Sequence, residues 1–114
     1  MLGAVDAENG RIGRVVSGVG EDMALHDTHP DTGAALAGLA LPDWAAAKAL
    51  CVTAACAFPG VRTQSWDVAL TPAGPVLLEF NFGGDLNLHQ LAHRRGALTD
   101  RYAAHLRRCG YRGL

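Results

Sequence analysis

Residues 65–81 read SWDVALTPAGPVLLEFN, and this stretch predicts a β-hairpin. Two runs rich in strand-forming residues flank Pro72-Ala73-Gly74, a connection typical of a type I turn followed by a glycine in the left-handed conformation. If Thr71 pairs with Pro75 across this turn, the register of the two strands follows along their whole length.

The predicted register brings acidic residues together. Asp67 lies directly across from Glu79, and Asn81 shares their face because side chains alternate along a strand. The other face is expected to be the core face, formed by Trp66, Val68, Leu70, Val76, Leu78 and Phe80. Like charges opposed across two strands are destabilising, and a bound cation removes that penalty. Two carboxylates and an amide are hard oxygen ligands of the kind that Mg²⁺ prefers, so the hairpin predicts a magnesium site and phosphate chemistry.

A plainer interpretation of the same residues is that Asp67 and Glu79 point to solvent from a one-sided sheet. In that case the register is shifted, or each carboxylate pairs with an arginine such as Arg62. Surface carboxylates are common, so both interpretations stay open at this point.

The size and charge of the chain limit its function classes. Its 114 residues, 11.9 kDa and 49% hydrophobic content indicate one folded domain at most. Ten basic and eleven acidic residues give a net charge of −1, so no overall field recruits nucleic acid or an acidic membrane. The first residues lack the features of a signal peptide and no apolar run is long enough to span a bilayer, which predicts a cytoplasmic protein.

The remaining segments predict an α+β fold, an antiparallel β-sheet with helices packed on it. Residues 2–7 and 11–17 flank an Asn-Gly turn and should form a hairpin. Residues 18–41 lack periodicity and should form a long loop. A helix is expected from Pro42 to Ala57, enclosed by the sheet and a second body because residues 49–57 carry no charge. A helix from Leu88 and a final amphipathic helix packed on the sheet follow, the latter with a stripe of Leu98, Tyr102, Leu106 and Cys109.

Other potentially reactive side chains carry weaker signals. His26 and His29 lie in the long loop, where a histidine either contacts a substrate or anion or serves as a local hydrogen-bond partner. Cys51, Cys56 and Cys109 lack the paired spacing of a zinc site, so they are expected to be reduced core residues.

Several motifs together resemble a known family. The Asp67 strand, the short turn and Glu79-Phe80-Asn81 are similar to the C-terminal magnesium-binding part of the ATP-grasp fold. The likeness is closest to the sugar-transfer-associated ATP-grasp group and covers roughly residues 3–110. The further motifs that carry it are His29-Pro30-Asp31-Thr32-Gly33, Leu41-Pro42-Asp43-Trp44, Trp66-Asp67-Val68-Ala69 and Gly74-Pro75-Val76-Leu77-Leu78-Glu79.

The resemblance implies a role for each site residue. Asp67, Glu79 and Asn81 would hold one or two Mg²⁺ ions that bridge the phosphates of ATP, acting as metal ligands and not as general bases. ATP-grasp enzymes activate a carboxylate as an acyl phosphate, and a nucleophile, commonly an amine, then displaces phosphate. Their first subdomain supplies phosphate-contacting lysines and a glycine-rich loop, which have no counterpart here, and Lys48 is the chain's single lysine. Residues 1–114 therefore resemble a single partial domain, a C-terminal lobe expected to be inactive alone.

Two other function classes remain. A non-catalytic interaction domain would dock on a partner chain through the apolar helix Ala49–Ala57 and an open sheet edge. A nucleic-acid-binding domain would use Arg101, Arg107 and Arg108, but the negative net charge and the lack of interleaved aromatic residues disfavour it.

Overall fold

A computed structural model describes residues 1–113 and confirms the α+β class. The antiparallel strands form two separate sheets, one of three strands in the order β1-β2-β3 and one of two strands, β4-β5. The elements are β1 (Leu2–Val5), β2 (Ile12–Ser17), β3 (Ala24–Leu25), α1 (Trp44–Ala55), β4 (Gln64–Thr71), β5 (Gly74–Phe82), α2 (Leu86–His93) and α3 (Asp100–Arg108).

The first hairpin forms as predicted, and its turn is held by a side chain. The Asp6 carboxylate accepts hydrogen bonds from the backbone N–H groups of Glu8 and Asn9, at 2.8 and 3.2 Å. Gly10 follows with a φ of 73°, and a β-carbon there would overlap the Trp44 side chain. The turn therefore requires glycine both for its backbone conformation and for contact with α1.

Residues 18–41 are largely irregular, as predicted, with two short regular pieces inside them. A single turn of 3₁₀ helix covers Gly20–Asp22, and the two-residue strand β3 pairs with the end of β2. Two residues are too few for a periodic pattern, which is why the sequence did not reveal β3.

Helix α1 is shorter than predicted. It begins at Trp44 because Asp43 adopts the left-handed conformation, with a φ of 50°, and its side chain makes no capping bond. Trp44 Nε1 donates to the carbonyl of Ala7 at 3.1 Å, and Lys48 Nζ donates to the carbonyls of Ala7 and Glu8 at 3.0 and 3.1 Å. These bonds attach α1 to the turn of the first hairpin.

The second half of α1 was expected to lie between the sheet and a second body, and among residues 1–113 the sheet is present but no second body covers the helix. Ala47 is the helix's buried residue, and Val52 is 67% exposed. A two-stranded sheet is too narrow to cover more than one side of a helix, so apolar side chains remain in solvent.

The last two helices are capped by side chains at their N-termini. Asp85 accepts a hydrogen bond from the N–H of Asn87, so α2 begins two residues earlier than predicted, and Thr99 likewise accepts from the N–H of Tyr102. Helix α3 was expected to pack on a sheet. Its His105 instead makes a hydrogen bond of 3.0 Å with the carbonyl of Arg62, in the segment before β4.

The core is small for a chain of this length. Its buried apolar residues are Ala4, Val15, Val16, Ala47, Ala92 and Ala103, and four of the six are alanines. The accessible surface is 8013 Å², roughly 2,000 Å² more than the scaling of surface with mass gives for a monomer of this size. All three cysteines are free, but Cys56 is exposed, so the prediction of three core cysteines was wrong for that residue.

Candidate metal centre

The predicted turn register of the β4–β5 hairpin was wrong by one residue. Thr71 pairs with Gly74, and Pro75 pairs with Leu70. Gly74 has a φ of 107°, which fits its predicted special conformation, and Thr71 Oγ1 donates to the carbonyl of Gly74 at 2.7 Å while accepting from the N–H of Ala73. The connection between the strands is thus one residue shorter than we predicted, and the side chain of Thr71 holds it closed.

A β-bulge restores the register further along the hairpin. Val68 pairs with Leu77, but the next residue of β4, Asp67, pairs with Glu79, so Leu78 is the extra residue of β5. Ser65 pairs with Asn81 as predicted. The predicted pairing of the two carboxylates is therefore confirmed, but the residue pairs between it and the turn differ from those that we predicted.

The bulge also changes which residues face α1. Leu77 lies opposite Val68 and is half-buried, whereas Val76 and Leu78 are 47% and 68% exposed. The predicted core face was therefore wrong for Val76 and Leu78. A bulge adds one residue to one strand, so the alternation of faces reverses on its far side.

One face of the hairpin, which we call the acidic face, carries three side chains whose oxygen atoms can bind a metal ion, those of Asp67, Glu79 and Asn81. Asp67 and Glu79 are directly opposed and exposed. Asn81 is half-buried and shares the face of Glu79 because the ladder from Gln64 to Asp67 is regular. Among residues 1–113 the single contact within 4.0 Å between a basic and an acidic side chain joins His29 and Asp31, so no arginine pairs with Asp67 or Glu79.

These three residues fit a magnesium ion by their chemistry. Mg²⁺ is usually bound by one or two carboxylates and keeps several water molecules, and exposed carboxylates leave room for both water and phosphate. No group of three His, Cys, Asp or Glu side chains that could bind a metal occurs within the described residues. A site with three protein ligands here would therefore include the amide oxygen of Asn81.

The chain after β5 closes one end of this face. Gly83 donates its N–H to the carbonyl of Thr63 at 3.2 Å, which extends the ladder by one bond. Gly84 has a φ of 71°, and a β-carbon there would overlap the side chain of Ser65. The backbone thus passes directly against the residue that pairs with Asn81, and glycine is required for this approach.

Aromatic stacking stiffens the opposite face of the same strands. The ring of Phe80 lies 4.7 Å from that of Trp66 and 4.9 Å from that of Phe58, in stacked geometry. Because Phe80 stands between Glu79 and Asn81 in β5, this packing fixes the backbone that carries the two donors.

The loop histidines have local partners. The hydroxyl of Ser17 lies 2.7 Å from His26 Nε2, and His29 Nδ1 lies 3.2 Å from the backbone nitrogen of Asp31 and 4.0 Å from its carboxylate. Both contacts match the hydrogen-bonding alternative that the sequence left open. Whether either histidine also contacts a ligand stays a prediction.

A family model described as sugar-transfer associated ATP-grasp matches residues 1–105, nearly the whole chain. No curated protein and no solved structure matches the chain. Within the described residues, no helix has both the length and the apolar character needed to cross a membrane.

Proposed function

The chain belongs to the sugar-transfer associated ATP-grasp family, and from this premise we propose that it forms the Mg²⁺–ATP-binding C-terminal portion of a carboxylate ligase. Membership in this family points to an ATP-binding, ligase-like function. The observation that carries the proposal is the direct cross-strand pairing of Asp67 with Glu79. A strand pair gains nothing from two unneutralised carboxylates face to face, so their juxtaposition favours a cation-binding role.

Each residue of the acidic face has a part in this function. Asp67 and Glu79 would bind the metal as carboxylates and Asn81 as an amide carbonyl. The metal that they hold would supply positive charge to neutralise the ATP phosphates, as the formation of an acyl phosphate from a carboxylate requires. The protein's own contribution is to hold the three donors on a stiffened strand pair, so that little reorganisation is needed when metal and nucleotide bind.

A second lobe is part of the proposal, with residues 1–114 acting as the C-terminal lobe. Lys48 is the one lysine, and its ammonium is already bonded to the carbonyls of Ala7 and Glu8, so it is poorly placed to contact phosphates. The surplus accessible surface and the exposed apolar side of α1 support a lobe that packs against this chain. The chain by itself would then bind nucleotide weakly and be inactive.

The exposed apolar residues also support a second candidate function, a non-catalytic domain that docks on a partner chain. Val52 on α1 and Leu78 and Phe82 on β5 are 67%, 68% and 77% exposed. The two functions differ in what the acidic face does, because docking requires neither metal nor nucleotide.

The proposal is tested by calorimetric titration of the 114-residue chain with ATP in the presence of Mg²⁺. We expect saturable binding that requires Mg²⁺ and is lost in Glu79→Gln, because glutamine keeps the size of the side chain but removes one of two ionic ligands. The same substitution should raise the free energy of unfolding of the metal-free chain by a few tenths of a kcal/mol, since it removes a like-charge pair.

Glu21→Gln is the matched control, because Glu21 is exposed and belongs to the 3₁₀ turn Gly20–Asp22 rather than to the β4–β5 hairpin. It should leave both binding and stability unchanged. If wild type and Glu79→Gln bind equally, the acidic face is not the metal site. If neither binds, the titration is repeated with an ATP-grasp N-terminal lobe added, and continued absence of binding would favour the docking function.

A further inference from the structure

Helix α2 carries two imidazoles that are unrelated to the acidic face. His89 and His93 are one helical turn apart, and their ring centroids lie 4.4 Å from each other with the ring planes at 36°. The spacing of four residues places both rings on the same side of the helix. Within residues 1–113, neither ring has a hydrogen-bond partner, in contrast to His26, His29 and His105.

The two rings open onto a cavity. Its volume is about 840 Å³, and its walls are α2, the segment that follows it, strands β1 and β2, and the turn between these strands, which contributes Asp6 and Glu8. The space is large enough for water or a small molecule beside the imidazoles. Three positively charged side chains, those of Arg11, Arg95 and Arg101, also line it.

Helix α2 is held firmly in place. Arg14 Nη1 on β2 donates to the carbonyls of Leu91 and Ala92, at 2.7 and 3.3 Å, and thereby satisfies two of the acceptors at the C-terminal end of the helix. Asp85 caps the other end. The backbone that carries the two imidazoles is therefore fixed before any ligand arrives, which lowers the entropy cost of binding between them.

From this geometry we infer that His89 and His93 form a binding site for one divalent transition-metal ion of the zinc, nickel or copper type, facing the cavity beside α2. Imidazole nitrogen suits these ions, whereas Mg²⁺ prefers oxygen ligands. No third His, Cys, Asp or Glu of the described residues joins the pair. Two positions of a four-coordinate ion would remain for water or a small molecule in the cavity, one more than in catalytic zinc sites, which have three protein ligands.

This site is independent of the proposed ATP function, because it uses different residues and a different class of ion. The free thiols of Cys51, Cys56 and Cys109 would compete for the same ions, so the test uses the full chain with its thiols alkylated. Zn²⁺ is added alone and binding is followed by calorimetry.

We expect one saturable Zn²⁺ site per chain that excess Mg²⁺ does not displace. His89→Ala and His93→Ala should each abolish it, because one imidazole cannot chelate alone, while the control His26→Ala should bind as wild type does. Circular dichroism checks that each variant keeps its helices. A second readout is the nuclear magnetic resonance spectrum, in which the imidazole signals of His89 and His93 should shift together on titration.

Three results would overturn the inference. These are the absence of saturable binding to wild type, binding that survives either alanine substitution, and a shift of one imidazole without the other. Because the resonance measurement needs no substitution, it stands even if a variant fails to fold.

Discussion

The carboxylates of this chain are held by different forces, and their roles differ accordingly. Asp6 accepts two backbone N–H bonds within its own turn, and these lower its pKa. Asp67 faces Glu79 across the hairpin with no cation paired to it among the described residues. The first arrangement satisfies a carboxylate locally and is structural, whereas the second leaves its charge available to a ligand.

The role of Asp6 predicts a pH dependence of stability. Its pKa in the folded chain is lower than the ordinary value of an aspartate, with the N–H of Glu8 as the largest cause and that of Asn9 next. The stabilisation is therefore present above that value and is lost as pH falls through the folded pKa. We expect the urea midpoint of Asp6→Asn to decrease less steeply than that of wild type as pH falls from about pH 7 to pH 3.

Asn at this position keeps a side-chain acceptor for the turn while removing the ionisable group. The control Asp22→Asn, at an exposed position, should retain the wild-type slope. An unchanged slope in Asp6→Asn would show that this carboxylate does not contribute to acid unfolding.

At the scale of elements, the β4–β5 hairpin shows how a local pattern and a tertiary irregularity combine. The turn residues and the alternation predict two strands, and both form. The bulge at Leu78 leaves no mark in the sequence, because leucine suits either face of a strand and the surplus residue is accommodated only once both strands pair. The pairing of Asp67 with Glu79 survived because the turn register and the bulge changed the pairing in opposite directions.

The bulge predicts that two adjacent leucines differ in their contribution to stability. Leu77→Ala should lower the free energy of unfolding by about 1–2 kcal/mol, because Leu77 is half-buried opposite Val68. Leu78→Ala should change it by less than about 0.5 kcal/mol, since that side chain is 68% exposed. Urea denaturation measures both, and a larger loss for Leu78→Ala would favour the regular register without a bulge.

The molecule as a whole buries little of its surface and is less compact than a typical domain of its length. The Cα radius of gyration is 15.7 Å, compared with about 13 Å for a compact domain of this length. A groove of about 490 Å³ remains between α1 and β4, lined in part by Trp44, Val52 and Trp66. A chain this open exposes apolar surface that a packed neighbour would cover, and the second lobe of the proposed function would be such a neighbour.

The exposed apolar surface predicts dye binding by the folded chain. Anilinonaphthalene sulfonate fluorescence should rise in native conditions and fall in the double variant Val52→Asp/Leu78→Asp, which removes two exposed apolar side chains. The urea midpoint of that variant should stay close to wild type, because neither residue contributes to the core. Dye binding that does not change, or a large loss of stability, would mean that these residues are covered within the chain itself.

The sequence by itself determined the α+β class, the two hairpins, the helical segments, the family and the pairing of Asp67 with Glu79. These depend on turn chemistry, side-chain alternation and motif identity, which act over a few neighbouring residues. Tertiary structure alone decided the bulge at Leu78, the exposure of α1, the use of Lys48 as a structural donor and the cavity beside His89 and His93. Those features depend on which elements pack together, a balance of many weak long-range contacts that no local pattern of residues encodes.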